Sequence, residues 1–243
     1  MSTRLLIECL RVPFAPGRSI TFPSTECTFE ASRPVLILRG DNASGKTTFL
    51  NVLSGHVRPE HGRAFLGDIV LSGRGPTWAA RRGVVRGFQS PLLCSDLNVW
   101  ENIALPLLHK WWRPSARFRP AVVERLSAIG LDTLADFSPA ELSFGQRRLV
   151  ELVRIQFQIS EGDKRLVLLD EPLAGLDTRH RAAAFRIIRA VDCERTPIIL
   201  VEHDLRLPEL ADLSAELRIT RRDEDGCQIA TLQPTPSPIG GTS

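Results

Sequence analysis

The octet Gly40-Asp41-Asn42-Ala43-Ser44-Gly45-Lys46-Thr47 follows the apolar run Val35–Leu38 and precedes a segment of helical character, Thr47–Ser54. It has the form G-x-x-x-x-G-K-T, in which glycines let backbone N–H groups turn inward around phosphate oxygens. The N-terminus of the following helix adds partial positive charge. The pattern therefore predicts a phosphate-binding loop, a P-loop, between a buried strand and a helix.

The individual residues of this loop have distinct expected roles. We expect Lys46 to reach the β- and γ-phosphates of a nucleotide and the Thr47 hydroxyl to coordinate Mg²⁺. The residues expected to contact the phosphates are Gly40, Asn42, Ser44, Gly45, Lys46, Thr47 and Thr48.

A second apolar run, Leu166–Leu169, ends in the adjacent carboxylates Asp170 and Glu171. Asp170 is placed to hold Mg²⁺, directly or through water. Glu171 is the candidate general base that polarises an attacking water. A metal-bound nucleotide needs such a carboxylate, so this pair supports the prediction made from the octet.

Polar residues follow several predicted strands. Gly40, Gln89, Asp170 and His203 each come just after an apolar run. Strands that alternate with helices predict an α/β fold with a mainly parallel sheet, and ligands bind at the carboxyl ends of its strands. We therefore expect these four positions to converge on one edge of the sheet.

Composition excludes several classes of protein. The chain has 243 residues and a formal net charge of +3, which is too small to indicate nucleic acid binding. Its five cysteines lie far apart without a C-x-x-C pair, which excludes a disulfide framework and a zinc site. Neither a signal peptide nor a membrane-spanning run is recognisable, so any membrane component is expected to be another chain. Arg81, Arg82 and Arg86 are interpreted as a basic, solvated face.

The segment Leu142-Ser143-Phe144-Gly145-Gln146 resembles the L-S-G-G-Q signature of ABC ATPases. Further motifs of that family follow in its order. Gln89 resembles the Q-loop, Leu173–Asp177 the D-loop, and Val201–Asp204 the H-loop. The resemblance covers about Leu5 to Ile219. It implies a P-loop NTPase with a RecA-like core, N-terminal antiparallel strands and an inserted helical subdomain.

The resemblance also implies a mechanism that needs two such domains. ATP lies between the P-loop of one subunit and the signature of the other, where Ser143, Gly145 and Gln146 meet the γ-phosphate. Asp177 acts at the dimer seam, and His203 hydrogen-bonds the γ-phosphate. Gln89 senses Mg²⁺ and the attacking water. The expected catalytic residues are thus Glu171, His203 and Gln89, and the expected metal ligands are Thr47, Gln89 and Asp170.

Two residues depart from the family pattern. Phe144 stands where the signature usually has glycine, and Ala43 replaces a common P-loop glycine. A side chain at either position is unfavourable if the backbone needs a positive φ. An aromatic residue near the N-terminus stacks on adenine in this family. Phe14 is our candidate and Phe22 the rival, and the sequence leaves the choice open.

The predicted organisation is one ABC ATPase domain over residues 1–232 and a flexible tail over residues 233–243. Within the domain, the core takes residues 1–87 and 164–219 and the helical subdomain residues 88–163. Ser90–Asn102, with the apolar Leu92, is in the region where family members receive the transmembrane subunit, although internal packing remains the alternative.

The predicted function is an ATP-binding and ATP-hydrolysing subunit that powers transport by a separate transmembrane permease. Its expected cofactors are ATP and Mg²⁺, and its expected partners are a second ABC ATPase subunit and the permease, without nucleic acid. The expected location is the cytoplasm, on the inner face of the cell membrane. Several stretches, including Arg86–Gln89, resemble the branched-chain amino acid transporter branch. The alternative is a soluble ABC-type ATPase in DNA repair, translation or assembly. The cargo and the direction of transport stay open.

Overall fold

The computed structural model describes residues 3–29, 34–107, 115–161, 164–191, 196–202, 214–224 and 227–234. The chain divides into two compact units, each built from separated stretches. The first unit comprises Met1–Arg86, Arg165–Asp170 and Cys193–Ser243. The second comprises Gly87–Lys164 and Glu171–Asp192.

Among the described residues, eleven strands form one sheet. The strands are β1 Thr3–Ala15, β2 Arg18–Phe22, β3 Thr25–Phe29, β4 Val35–Arg39, β5 His61–Leu66, β6 Ile69–Val70, β7 Val84–Gly87, β8 Leu166–Asp170, β9 Ile198–Val201, β10 Ser214–Glu224 and β11 Cys227–Pro234. Their order is β6-β5-β1-β2-β11-β10-β4-β9-β8-β7, and β3 pairs with β1. Helices α1, Lys46–Leu53, and α2, Pro76–Arg81, belong to the same unit.

The sheet has an antiparallel part and a parallel part. Strand β1 pairs antiparallel with β2, β3 and β5. Strand β4 lies between β9 and β10 and is parallel to both, and β8 is parallel to β9. Every residue of β4, β8 and β9 is buried, which explains why these strands are continuous apolar runs without alternation.

The described residues of the second unit contain four α-helices. They are α3 Val99–Ala104, α4 Arg119–Ser127, α5 Phe144–Ser160 and α6 Thr178–Arg189. Short 3₁₀ turns occupy Leu105–Leu107, Ala116–Phe118, Asp132–Leu134 and Pro139–Glu141. Ser143 caps α5, because its hydroxyl accepts a hydrogen bond from the Gln146 backbone N–H. Asp177 caps α6 by accepting the His180 backbone N–H.

The predicted α/β fold with parallel strands and N-terminal antiparallel strands is confirmed. Strand β11 runs through Pro234, so the predicted tail began too early at Gln233, because both residues pair with β10. The other predicted domain boundaries stay a prediction. Residues 235–243 and His203 lie outside the described residues. No helix in the described part of the chain is long and apolar enough to cross a membrane.

Candidate functional site

At two positions of the octet, other atoms approach so closely that only glycine fits. A Cβ at Gly40 would lie 2.4 Å from the Ile219 backbone oxygen. Gly45 has a φ of 104°, and a Cβ there would lie 2.6 Å from Ile20 Cδ1. Any side chain at these positions would displace backbone or core atoms. The loop therefore has its compact shape because glycine occupies both positions.

The loop presents the hydrogen-bond donors that a polyphosphate accepts. Lys46 Nζ lies across the loop and donates to the backbone oxygens of Gly40 at 2.7 Å and Asp41 at 2.8 Å. The buried Ser44 hydroxyl has no hydrogen-bond partner among the described residues. No side chain caps the N-terminus of α1, which begins at Lys46. An ammonium group, a buried hydroxyl and helix N–H groups fit a nucleotide phosphate chain.

Ala43 adopts the left-handed conformation, with a φ of 61°. This is the position where the family commonly has glycine, so the departure noted in the sequence falls on strained backbone. An L-residue in this region costs about 1–2 kcal/mol. The loop keeps its conformation despite this strain.

Asp170 ends β8 and is buried, with 3% of its side chain exposed. Thr47 Oγ1 donates to Asp170 Oδ1 at 3.4 Å. Arg86 Nη2 donates to Oδ2 at 2.7 Å, and only 6% of the Arg86 side chain is exposed. The prediction that Arg86 lies on a solvated face is wrong, because its guanidinium forms a buried ion pair with Asp170. A carboxylate beside a hydroxyl provides the hard oxygen ligands that Mg²⁺ prefers.

Gln89 and Glu171 are joined directly in the second unit. Gln89 Nε2 donates to Glu171 Oε2 at 3.1 Å. Glu171 has a φ of 47°, which is unusual for a residue with a side chain. Such strain costs about 1–3 kcal/mol and persists where the surrounding structure imposes it. Two of the three predicted catalytic side chains are therefore neighbours, and the candidate base lies on strained backbone.

The signature and the D-loop also meet within the second unit. Ser143 and Gln146 form a reciprocal capping box at the start of α5. A Cβ at Gly145 would lie 3.0 Å from the His180 ring, and His180 Nδ1 lies 2.8 Å from Asp177 Oδ2. The pKa of Asp177 is lowered mainly by a hydrogen bond from the His180 backbone N–H and, to a smaller extent, by one from the His180 side chain. His180 therefore connects the signature glycine to the D-loop carboxylate.

Phe144 does not have a positive φ, so the aromatic residue is compatible with the signature backbone. A Cβ at Gly175 would lie 3.1 Å from Phe144 Cε1, and Gly175 has a φ of 72°. The ring thus covers the D-loop glycine. Phe144, which stands where the signature usually has glycine, therefore adds a contact between the signature and the D-loop.

The two aromatic candidates for adenine have different environments. Phe22 is fully buried, with its ring centroid 5.3 Å from that of Phe49. Phe14 is 44% exposed, and the Arg18 guanidinium lies over its ring at 5.4 Å. Only the Phe14 ring is accessible to a base. Of the remaining predicted contacts, Asn42 is exposed and Thr48 is half-buried on α1.

A family model described as ABC transporter matches residues 26–174, more than half of the chain. The chain belongs to the ABC transporter family. This match confirms the predicted family and the predicted ABC-type ATPase, which binds and hydrolyses ATP.

Curated relatives support the same assignment. The "Intermembrane phospholipid transport system ATP-binding protein MlaF" of Escherichia coli K12 is 28% identical over 212 residues, 86% of this chain and 76% of that protein. The "Methionine import ATP-binding protein MetN" of Cereibacter sphaeroides is 29% identical, over 91% of this chain and 65% of that protein. Both are ATP-binding proteins of transport systems, which supports a transporter subunit and does not favour the soluble alternative.

Solved structures show the same fold. The ADP conformation of MJ1267, an ATP-binding cassette of an ABC transporter, has a TM-score of 0.71 at 22% identity, covering 96% of this chain and 91% of that chain. The ATP-binding cassette MJ0796, in a dimeric post-hydrolysis state bound to ADP and Pi, has a TM-score of 0.71 at 21% identity. This match covers 92% of this chain and 95% of that chain. The predicted P-loop NTPase fold is confirmed. The likeness to the branched-chain amino acid branch stays a prediction.

Sequence reasoning missed several charged residues of this ABC ATPase. Arg86 pairs with Asp170. On α5, the buried Arg148 and Glu151 form a group with the partly exposed Arg154. A usable signal was present for Arg86, because a charged residue that follows the buried Val84 and Val85 in a short strand needs a partner.

Proposed function

We propose that this chain binds ATP with Mg²⁺ and hydrolyses it as one of two paired ATPase subunits, driving a separate transmembrane permease. The observation that carries the proposal is the loop of residues 40–47 beside Asp170. Lys46 Nζ and the helix N–H groups face phosphate charge, and Thr47 and Asp170 lie together as oxygen ligands. Mg²⁺ would neutralise phosphate charge there.

In the proposed hydrolysis, Glu171 accepts a proton from the attacking water. Gln89 donates a hydrogen bond to Glu171, so its amide orients the carboxylate. Phe14 stacks on adenine, which its exposed ring supports and the buried ring of Phe22 does not. His203 is proposed to bond the γ-phosphate, as the family resemblance implies.

The second subunit completes the nucleotide site in this proposal. Ser143, Gly145 and Gln146 of one subunit approach the γ-phosphate held by the other, and Asp177 lies at the seam. Ser143 is exposed at the start of a 17-residue helix, which supports its use as an anion site. Each subunit would then supply half of two equivalent sites.

The permease is proposed to dock on the segment after Gln89. Leu92 is 55% exposed in this segment, so its apolar side chain is accessible to a partner. MlaF and MetN are named for phospholipid transport and methionine import. A subunit of this kind would lie at the cytoplasmic face of the membrane. Leu92→Asp is expected to release the permease while ATP binding is retained, and an unchanged complex would exclude this docking site.

The test of the whole proposal uses tagged Glu171→Gln protein isolated from native membranes with ATP and Mg²⁺. Loss of a general base lowers turnover by about 10²–10⁴-fold, so the closed dimer is expected to accumulate. Glu161→Gln, a change of an exposed glutamate, is the matched control. A polytopic membrane protein that co-purifies in stoichiometric amount supports the proposal. A dimer with no membrane partner, or rapid turnover by the variant, contradicts it.

A further inference from the structure

Helix α5 is joined to the segment 88–92 by guanidinium groups. Arg148 Nη1 donates to the Phe88 backbone oxygen at 2.7 Å, and Arg148 Nη2 donates to that of Gln89. One turn and a half further along the helix, Arg154 Nη1 donates to the Leu92 backbone oxygen at 2.7 Å. Two arginines of the signature helix thus bond three main-chain carbonyls of the Q-loop segment.

Glu151 stands between the two arginines. Its Oε2 lies 2.6 Å from Arg148 Nη1, and its Oε1 lies 3.7 Å from Arg154 Nη2. The side chains of Arg148 and Glu151 are each 1% exposed. Burial raises the pKa of Glu151, and the two neighbouring guanidinium groups oppose that shift. We name Arg148, Glu151 and Arg154 the arginine clamp.

The segment that the clamp holds has no helix or strand of its own. Residues 88–94 are irregular, so their carbonyls are not engaged in a ladder. Helix and sheet bonds normally fix a backbone, and here bonds from charged side chains take that role. Asn102 of α3 bonds the backbone of Cys94, whereas the carbonyls of Phe88, Gln89 and Leu92 are bonded by side chains of α5.

An apolar contact would be a simpler way to pack this helix. Buried charges are expensive to desolvate, and replacing a buried ion pair with apolar residues is often neutral or stabilising. Guanidinium-to-carbonyl bonds are directional, however, and define one register between two elements. The clamp is therefore suited to fixing position rather than to adding stability.

Two of the residues whose carbonyls the clamp bonds, Gln89 and Leu92, have proposed functions. Gln89 bonds Glu171, and Leu92 is the exposed apolar residue of the proposed docking segment. Ser143 begins the same helix that carries the clamp. Arg154 therefore connects the backbone of Leu92 to the helix that begins at the signature.

We propose that Arg148, Glu151 and Arg154 are positioning residues that fix the backbone of Phe88–Leu92 to α5. Gln89 is thereby held for catalysis, and Leu92 is tied to the signature helix. The link to catalysis rests on the proposed function, whereas the fixation of the backbone does not.

The first test measures amide hydrogen exchange of the free full-length chain by mass spectrometry. Arg148→Met and Arg154→Met keep an extended side chain and remove the donors. Because hydrogen bonds to charged groups are strong, we expect exchange at about 88–94 to rise about tenfold or more. Arg154→Met should act mainly near Leu92, and Arg148→Met mainly near Gln89. Unchanged exchange in both variants would overturn the proposal.

The matched control is Arg125→Met. Arg125 also lies in the second unit, donates to Ser160 Oγ at 2.9 Å and covers the Phe157 ring at 4.7 Å. We expect this variant to leave exchange of residues 88–94 as in the wild type. An equal rise in the control would show general loosening of the unit and overturn a specific clamp.

The second test separates kcat from KM for ATP. Measured well below the unfolding temperature, Arg148→Met should lower kcat about tenfold or more and change KM less than twofold. A merely structural role predicts a lower Tm with both constants unchanged, and that result would overturn the positioning of Gln89. If the wild-type chain hydrolyses no ATP, the proposed function fails, while the exchange experiment still decides whether the clamp exists.

Discussion

Replacing Arg86 with methionine would leave Asp170 as a buried carboxylate without its guanidinium partner. The pair is short, at 2.7 Å, and both side chains are nearly inaccessible to water. Methionine retains much of the buried volume, so the change tests the charge more than the packing. Since Asp170 is the proposed Mg²⁺ ligand, the substitution also alters the electrostatics of the nucleotide site.

The expected loss of stability follows from this burial. Removing one partner of a buried ion pair destabilises a protein by about 3–5 kcal/mol, because the other charge stays desolvated and uncompensated. That is a large part of the roughly 5–15 kcal/mol available to a typical domain. For a chain of this size, each kcal/mol shifts Tm by about 2–4 °C, so we expect a decrease of about 6–20 °C.

The assay is thermal unfolding followed by circular dichroism, with and without ATP and Mg²⁺. The double variant Arg86→Met with Asp170→Asn removes both charges and should recover part of the lost Tm. ATP with Mg²⁺ should stabilise Arg86→Met more than the wild type, since a divalent cation restores a positive charge beside Asp170. Arg81→Met, a change of an exposed arginine, is the control.

Two results would refute this reasoning. A wild-type Tm for Arg86→Met would show that the ion pair does not contribute to folding. A double variant less stable than the single variant would show that the Asp170 charge is not the source of the loss.

Further predictions concern other parts of the molecule. Burial raises the pKa of Cys27 to about 11, so alkylation of Cys27 at pH 8 should be much slower than that of the exposed Cys9 and Cys94. The rate at Cys27 should rise towards pH 11, and equal rates for the three cysteines at pH 8 by mass spectrometry would contradict this. Gly45→Ala should abolish ATP binding in calorimetry, because its Cβ would meet Ile20 at 2.6 Å on backbone with positive φ, and retained affinity would exclude this close contact. His180→Ala should raise the lowered pKa of Asp177 towards its ordinary value of 3.8 in an NMR titration. An unchanged Asp177 pKa in this variant would contradict the role given to the His180 side chain. The contribution of Asp177 to stability is present above pH 3.8 and is lost as the pH falls through the lowered pKa.

The parts of the site that could be predicted from sequence are those determined locally. The octet is recognised by the spacing of its glycines before Lys46 and Thr47, and the apolar runs before Gly40 and Asp170 define buried parallel strands. Ser143 could be identified as a helix cap since it is followed three residues later by Gln146. Such features depend on neighbours in the chain, so the pattern is sufficient.

Other features depend on partners that are distant in sequence. The apolar Val84 and Val85 indicate that Arg86 needs a partner, but only the approach of β8 identifies that partner as Asp170. Phe14 and Phe22 could not be ranked because their exposure is set by the packing of the first unit. Strand β10 carries several charges and lacks a clear alternation, so its place beside β4 follows from the sheet and not from its residues.

The position of β4 in the sheet has a consequence for synthesis of the protein. Its two neighbours are β9 and β10, and Val35 pairs with Ile198 on one side and Ser214 on the other. During translation, the strand that precedes the phosphate-binding loop therefore emerges long before either neighbour and has two unpaired edges in the nascent chain. Unpaired edges promote association with other chains. Ribosomal pausing or truncation before Ser214 would thus leave one edge of β4 unpaired and yield an aggregation-prone product.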